Sequence, residues 1–98
     1  MVDNSFGGTD VIHGFEDLPA VAFTSVHQYG APDTAQLVWS TVTKRVPLLG
    51  KPSFVEEFGA SWRGPYQHSL DPSGIGMHTG AWASLVGGAA GTAMQWWW

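Results

Sequence analysis

The sequence predicts an α/β fold with a parallel sheet, because strand-like and helix-like segments alternate along the chain. Residues 21–29 are rich in β-branched and aromatic side chains, and residues 52–58 form a near-continuous apolar run interrupted only by glutamates. Between them, residues 33–46 repeat apolar side chains at helical spacing. The length of 98 residues suits one small domain with a core of its own.

The first half of the chain predicts a strand, a turn, a second strand and a helix. Residues 2–8 are expected to end a strand at a Gly7–Gly8 turn. The helix near 33–46 follows Asp33, an N-cap residue with Gln36 in capping-box position, and Pro47 and Gly50 are expected to end it. Its predicted inward face comprises Ala35, Val38, Trp39, Val42 and Val46.

The second half predicts two more strands separated by a loop and a helix. Residues 52–58 form the first of these strands, and 59–76 are expected to be a long loop of the kind that often carries function. A helix near 77–86 should turn its apolar residues inward, and a final strand covers 91–98. The inward residues expected for this helix are Ala81, Trp82 and Leu85.

Composition excludes several function classes. The chain is 44% hydrophobic and 12% charged, which argues against disorder, and its net charge is -4 with only four Lys and Arg residues. It therefore offers no basic track for nucleic acid and no polybasic patch for a membrane, and no apolar run approaches a membrane span. Without cysteine it has no disulfide or thiolate metal site, which suits the cytosol and the extracellular space alike.

Metal and cofactor sites are not expected either. The four histidines show no H-E-x-x-H or H-x-H spacing. The glycine-rich run 87–91 follows a helix and precedes a strand, whereas a phosphate-binding loop needs the reverse order.

Glu57 is the strongest candidate for chemistry. It ends a buried strand, where an ionised carboxylate is costly unless it has a purpose, and a glycosidase nucleophile is such a purpose. Strict alternation would place Ser53, Val55 and Glu57 on one face of the strand and Glu56 on the other. The alternative is an ordinary strand end with both glutamates in surface ion pairs.

His27 and Tyr29 lie two residues apart and share one face at the end of the preceding strand. A phenol there can donate a hydrogen bond to a neighbouring carboxylate, and an imidazole can bond a sugar hydroxyl. Trp96 and Trp98 share a face of the last predicted strand and suit the apolar face of a pyranose ring, although core packing is the alternative.

Taken together, these motifs resemble the glycoside hydrolase family 5-like enzymes of the clan A TIM barrels, including mannanase- and cellulase-like members. Lys51-Pro52 followed by Glu57-Phe58-Gly59 resembles their seventh strand, and residues 27–29 resemble the sixth. Residues 71–98, with Asp71-Pro72, His78, the glycine run and the Trp triple, resemble the segment leading into the eighth strand. The likeness covers roughly residues 10–98.

The resemblance implies that residues 1–98 form the C-terminal portion of a partial (β/α)8 barrel, with about three of its eight strands. It implies a retaining hydrolase of β-linked glycosides, in which Glu57 is the nucleophile, Tyr29 polarises it and His27 lines the adjoining subsite. Trp96, Trp98 and His78 would contact the carbohydrate substrate. Secretion of a parent enzyme is compatible with this function.

Two departures limit what this chain is expected to do. Glu56 stands where the family has a small residue, and Lys51 or Arg63 are its expected partners. The family's acid/base glutamate follows an asparagine in a segment absent here, so we expect the chain to be inactive without the rest of the barrel. The alternatives are a carbohydrate-binding module that uses Trp62, Trp96 and Trp98, or a non-functional fragment.

Overall fold

A computed structural model describes residues 5–8, 11–30, 32–63 and 67–94 of the chain. Three strands, β1 (Ser5–Gly7), β2 (Thr24–Tyr29) and β3 (Ser53–Gly59), form one sheet in the order β1-β2-β3, and both strand pairs are parallel. The helices are α1 (Thr34–Leu49), the short α2 (Gln67–Leu70) and α3 (Ile75–Val86). The described residues therefore confirm an α/β fold with a parallel sheet.

Helix α1 begins as predicted and ends later than predicted. The Asp33 carboxylate accepts a hydrogen bond from the Gln36 backbone N–H at 2.9 Å, which satisfies one of the free donors of the first turn. Pro47 does not stop the helix, because it lies within the last turn of α1. The end comes at Gly50, whose left-handed backbone (φ 62°) lets its N–H donate to the Val46 carbonyl.

Other boundaries differ from the prediction in their detail. The segment 59–76 contains α2, and α3 begins two residues before the predicted start. Residues 91–94 do not form a regular strand, although the chain here runs beside β3: Ala90 N donates to Ser53 O, and Phe58 N donates to Met94 O. The rest of the predicted last strand, 95–98, lies outside the described residues.

The core lies between the sheet and the two long helices. Val26 and Val55 come from the helix-facing side of neighbouring strands, and small residues let α3 approach closely. A Cβ on Gly80 would lie 2.4 Å from the Phe58 ring, so only glycine fits there. The buried cluster comprises Val26, Val38, Val42, Val55, Phe58 and Ala93.

The predicted inward faces of both helices were partly wrong. In α1, Val38 and Val42 are buried as expected, but Trp39 is 49% exposed and Arg45 is buried instead. In α3, Trp82 is 58% exposed and Leu85 is 43% exposed. The face of α3 that packs inward carries Gly80 and Ser84.

A buried ion pair joins the segment before β2 to α1. The Arg45 guanidinium bonds the Glu16 carboxylate, and each side chain is 1% exposed. The same carboxylate accepts the Ile12 N–H at 2.6 Å. The Lys51 ammonium donates to the backbone oxygens of Glu16 and Leu18, at 2.8 and 2.5 Å. These contacts hold residues 12–18 against the helix.

Candidate functional site

The polar residues singled out in the sequence meet at the carboxyl end of the sheet. His27 and Tyr29 come from the last half of β2, and Glu57 comes from β3, where it is paired in register with His27. Parallel strands end at the same edge of a sheet, so residues far apart in sequence come together there. The sequence placed these three residues at strand ends, and the structure brings them into contact.

A β-bulge decides which way Glu57 points. Val26 pairs with Val55, and the next residue of β2, His27, pairs with Glu57. Glu56 is therefore an extra residue in β3, opposite none of the residues of β2. Beyond the bulge, Glu57 lies on the sheet face opposite to that of Val55.

The prediction that Ser53, Val55 and Glu57 share a face is therefore wrong. Ser53 and Val55 are buried on the side of the helices, where the Ser53 hydroxyl lies 2.7 Å from the hydroxyl of Thr24. In unbroken alternation Glu57 would point into that apolar layer, where an ionised carboxylate is costly. The extra residue instead places it on the face shared by His27 and Tyr29.

Two side chains contact one oxygen of Glu57. The Tyr29 hydroxyl donates a hydrogen bond to Oε2, and His27 Nδ1 lies 3.3 Å from the same atom. The Glu57 side chain is 19% exposed. Within the described part of the chain, both of these contacts end on Oε2.

The Tyr29 hydroxyl is held in its protonated, donating form. Burial raises the pKa of Tyr29 well above the usual value of a phenol, and the hydrogen bond to Glu57 and the charge of that carboxylate raise it further. A hydrogen bond donated to a carboxylate is stronger than one between neutral groups and stabilises the negative charge. The pair is therefore a neutral phenol beside a charged carboxylate.

Glu56 contacts neither of the partners expected for it. Its carboxylate lies 3.4 Å from His27 Nε2, and its side chain is 43% exposed. Lys51 bonds backbone oxygens at the opposite end of β3, and the Arg63 guanidinium carbon lies 4.5 Å from the centre of the Trp62 ring. Both glutamates therefore flank the same imidazole.

A cleft of about 490 Å³ opens beside His27 and Tyr29, the two residues that contact Glu57. It is lined by His27, Gln28 and Tyr29 on one side, by the end of β1 at Gly7 and Gly8, and by Trp62. The volume is within the range of small-molecule sites.

Trp62 was not among the residues predicted for the glycosidase site, and the sequence linked it only to a carbohydrate-binding module. Its side chain is 61% exposed, and it lies in the loop directly after β3. Loops that follow the strands at this end of a parallel sheet carry functional residues. The position of Trp62 directly after a predicted strand is therefore the sequence signal that could have assigned it to this site.

The remaining predicted site residues are not brought to this cleft. His78 lies in the first turn of α3 and lines a separate groove of about 550 Å³ between α1 and α3, with Trp39 and Trp82. Its ring centre is 6.5 Å from that of Trp82. Trp96 and Trp98 lie outside the described residues, so their predicted stacking role stays a prediction.

The chain was compared with protein-family models, curated proteins and solved structures, and none of them matches it. Among residues 5–8, 11–30, 32–63 and 67–94, no group of three or more His, Cys, Asp and Glu side chains could hold a metal ion. The helices within those ranges are all too short or too polar to cross a membrane.

Proposed function

We propose that this chain is the C-terminal part of a retaining O-glycosyl hydrolase barrel that acts on a β-linked glycoside or polysaccharide, with Glu57 as the nucleophile. The observation that carries the proposal is the contact among Glu57, Tyr29 and His27 at the carboxyl end of a parallel sheet. A glycosidase nucleophile must be a charged, rigidly held carboxylate beside an open cleft. The absence of a matching family leaves the proposal resting on this geometry and on the motif resemblance.

In the proposed reaction, Oε1 of Glu57 attacks the anomeric carbon. The bond from that carbon to the leaving oxygen breaks, and a second carboxyl group donates a proton to the leaving oxygen. Water then attacks the glycosyl-enzyme, releasing the sugar with its original configuration and returning a proton to the second group. Tyr29 holds Oε2 throughout, so the carboxylate keeps one orientation.

The second carboxyl group is expected from another part of a complete barrel. Retention requires the two carboxyl groups about 5–5.5 Å apart. The resemblance places the acid/base glutamate at the end of an earlier strand, which this chain does not contain. The sheet supports the proposal of a larger barrel. Residues 90–94 run along the side of β3 that does not pair with β2, which is where the next strand of a barrel would lie.

Trp62 suits the sugar-binding part of the function. An exposed indole face packs on the apolar face of a pyranose, and its N–H can bond a hydroxyl. Its place in the same cleft as His27 and Tyr29 also supports the alternative in which the chain binds carbohydrate without cleaving it.

The test uses the complete open reading frame that contains this segment. An activated 2-deoxy-2-fluoro-β-glycoside with a dinitrophenyl leaving group needs little acid assistance, so it traps the glycosyl-enzyme. Peptide mapping should find the label on Glu57. Label on Glu56, or on no residue of this segment in an active hydrolase, would refute the assignment.

Substitution provides the second arm of the test. Glu57→Ala should abolish hydrolysis of polysaccharide, and azide should restore release from an activated β-glycoside as the α-glycosyl azide. Glu56→Ala is the matched control, because it removes the neighbouring carboxylate and leaves the nucleophile. Retained hydrolysis in Glu57→Ala would end the proposal, while carbohydrate binding without hydrolysis in the unmodified protein would favour the binding alternative.

A further inference from the structure

The groove between α1 and α3 carries two exposed indoles that the proposed function does not use. Its described lining residues include Trp39 of α1 and Trp82 of α3, and it shares none of them with the cleft beside His27 and Tyr29. Both tryptophan side chains are about half exposed. Burial of an indole is among the largest hydrophobic gains open to a protein, and exposed apolar surface of this kind marks interaction sites. The groove is therefore a candidate for a second binding site.

Helical spacing builds the groove from small and large side chains. On α3, Thr79 and Ala83 are one turn apart and partly buried, and on α1 the partly buried Ala35 lies one turn before Trp39. These small side chains lie low between the helices, whereas Trp39 and Trp82 are exposed. The result is an open groove with a shallow floor and an aromatic ring from each helix.

The chemistry of the lining favours a neutral ligand that has both apolar and polar surfaces. Among the described residues that line the groove, none is Asp, Glu, Lys or Arg, so it offers no partner of those types to a phosphate or a charged peptide. Gln36 and His78 bring an amide and an imidazole to the same groove, and both groups can form hydrogen bonds with a hydroxyl. Indole faces stack on the apolar face of a pyranose ring. A neutral sugar chain meets all of these conditions.

A second copy of the chain fits this groove poorly. In a dimer with two-fold symmetry through this face, the groove of one copy would lie against the same groove of the other. Two concave surfaces would touch only at their rims and leave a cavity between them, whereas the core of a stable protein interface is packed as closely as a protein interior. The occupant must be narrow and convex, as an oligosaccharide chain is.

We propose that the groove between α1 and α3 is a carbohydrate-binding site, separate from the cleft beside His27 and Tyr29. It takes a neutral chain of β-linked hexoses, because such a chain is extended and presents the apolar C–H faces of successive rings to Trp39 and Trp82. Binding there needs no hydrolysis. That the bound chain is also cut at the cleft rests on the proposed function.

The experiment is a titration of the chain with cellohexaose and with β-linked mannohexaose, followed by nitrogen-15 NMR of the indole N–H groups. Each of the six tryptophans carries one such group, and single Trp→Phe substitutions assign the signals. We expect the signals of Trp39 and Trp82 to shift together along one saturation curve with at least one hexaose. Trp82→Ala should weaken the binding seen at Trp39 by roughly five- to ten-fold, the effect of losing one aromatic stacking contact.

Leu85→Ala is the matched control, because it also removes an exposed apolar side chain from α3 and leaves the described lining of the groove unchanged. The affinity of this variant should equal that of the unmodified chain. Trp82→Phe keeps an aromatic ring and should retain part of the affinity. If Trp82→Ala does not fold, Trp39→Ala tests the same site from the other helix, with the Trp82 signal as the readout.

Unchanged signals of Trp39 and Trp82 with both hexaoses would overturn the proposal. Equal binding of hexanediol would also overturn it, because the groove would then select for apolar character alone. Shifts of these two signals on dilution without sugar would show that a second copy covers the groove. A sugar-induced shift of Trp62 alone would support binding at the cleft and reject only the second site, whereas failure of the proposed function would appear as retained hydrolysis in Glu57→Ala.

Discussion

Removing one partner of the buried pair of Glu16 and Arg45 is expected to destabilise this fold strongly. Glu16→Gln keeps the size of the side chain and leaves an acceptor for the Ile12 N–H. It removes the carboxylate from a guanidinium that is 1% exposed. Breaking a buried pair on one side typically costs about 3–5 kcal/mol, because the remaining charge stays out of water.

That loss is large for a domain of 98 residues. Small domains unfold with a free energy of about 5–15 kcal/mol, and each kcal/mol changes the melting temperature of a domain this size by about 4–8 °C. We therefore expect the melting temperature to fall by about 12 °C or more. Urea unfolding followed by circular dichroism and by tryptophan fluorescence measures the free energy directly.

Asp17→Asn is the matched control, since it makes the same chemical change in the same segment. Asp17 lies 3.7 Å from His13, with side chains 49% and 71% exposed, so its charge should contribute less than about 1 kcal/mol. The double variant Glu16→Leu with Arg45→Met should lose less than either single change, because no buried charge is left. Equal losses in Glu16→Gln and Asp17→Asn would refute the reasoning.

Two further outcomes follow from the packing and the site. In a Tyr66→Phe background, tyrosinate absorbance should show Tyr29 still protonated above pH ~10, where a free phenol ionises. Burial and Glu57 raise the pKa of Tyr29 in the folded chain, so the free energy of unfolding should fall as the pH rises above the value at which a free phenol ionises. Glu57→Gln should bring the ionisation of Tyr29 to lower pH. Ionisation of Tyr29 at the pH of a free phenol would contradict its contact with Glu57. Gly80→Ala should lower the free energy of unfolding, measured in urea, by about 1–3 kcal/mol, because the added methyl group would meet the buried Phe58 ring. Alanine favours helices over glycine, so a gain in stability is the result expected if this packing is wrong.

Much of the fold could be predicted because local signals and global structure agree. The cap at Asp33, the stop at Gly50 and the parallel pairing of β2 with β3 follow from residue types and their order. Predicting Pro47 as a stop failed, because a proline in the last turn removes only one hydrogen bond and Gly50 still supplies the cap.

The helix faces could be predicted less well. Apolar periodicity favoured Trp82 and Leu85 as inward residues of α3, but close packing on Phe58 required a glycine at the contact. Periodicity measures which side chains prefer burial, and it carries no information on how near two backbones must come. The face that packs is therefore chosen by the shape of the neighbouring surface.

The sequence alone determined which chemistry is available here: a carboxylate, a phenol and an imidazole at strand ends that a parallel sheet must bring to one edge. Only the tertiary structure decided that Glu57 shares a face with His27 and Tyr29. The alternation of side chains along a strand cannot reveal an extra residue in β3. Glu56 and Glu57 are the same residue type, so from the sequence either of them could be the extra one. The register with β2 makes that choice, and pairing between strands is a long-range interaction.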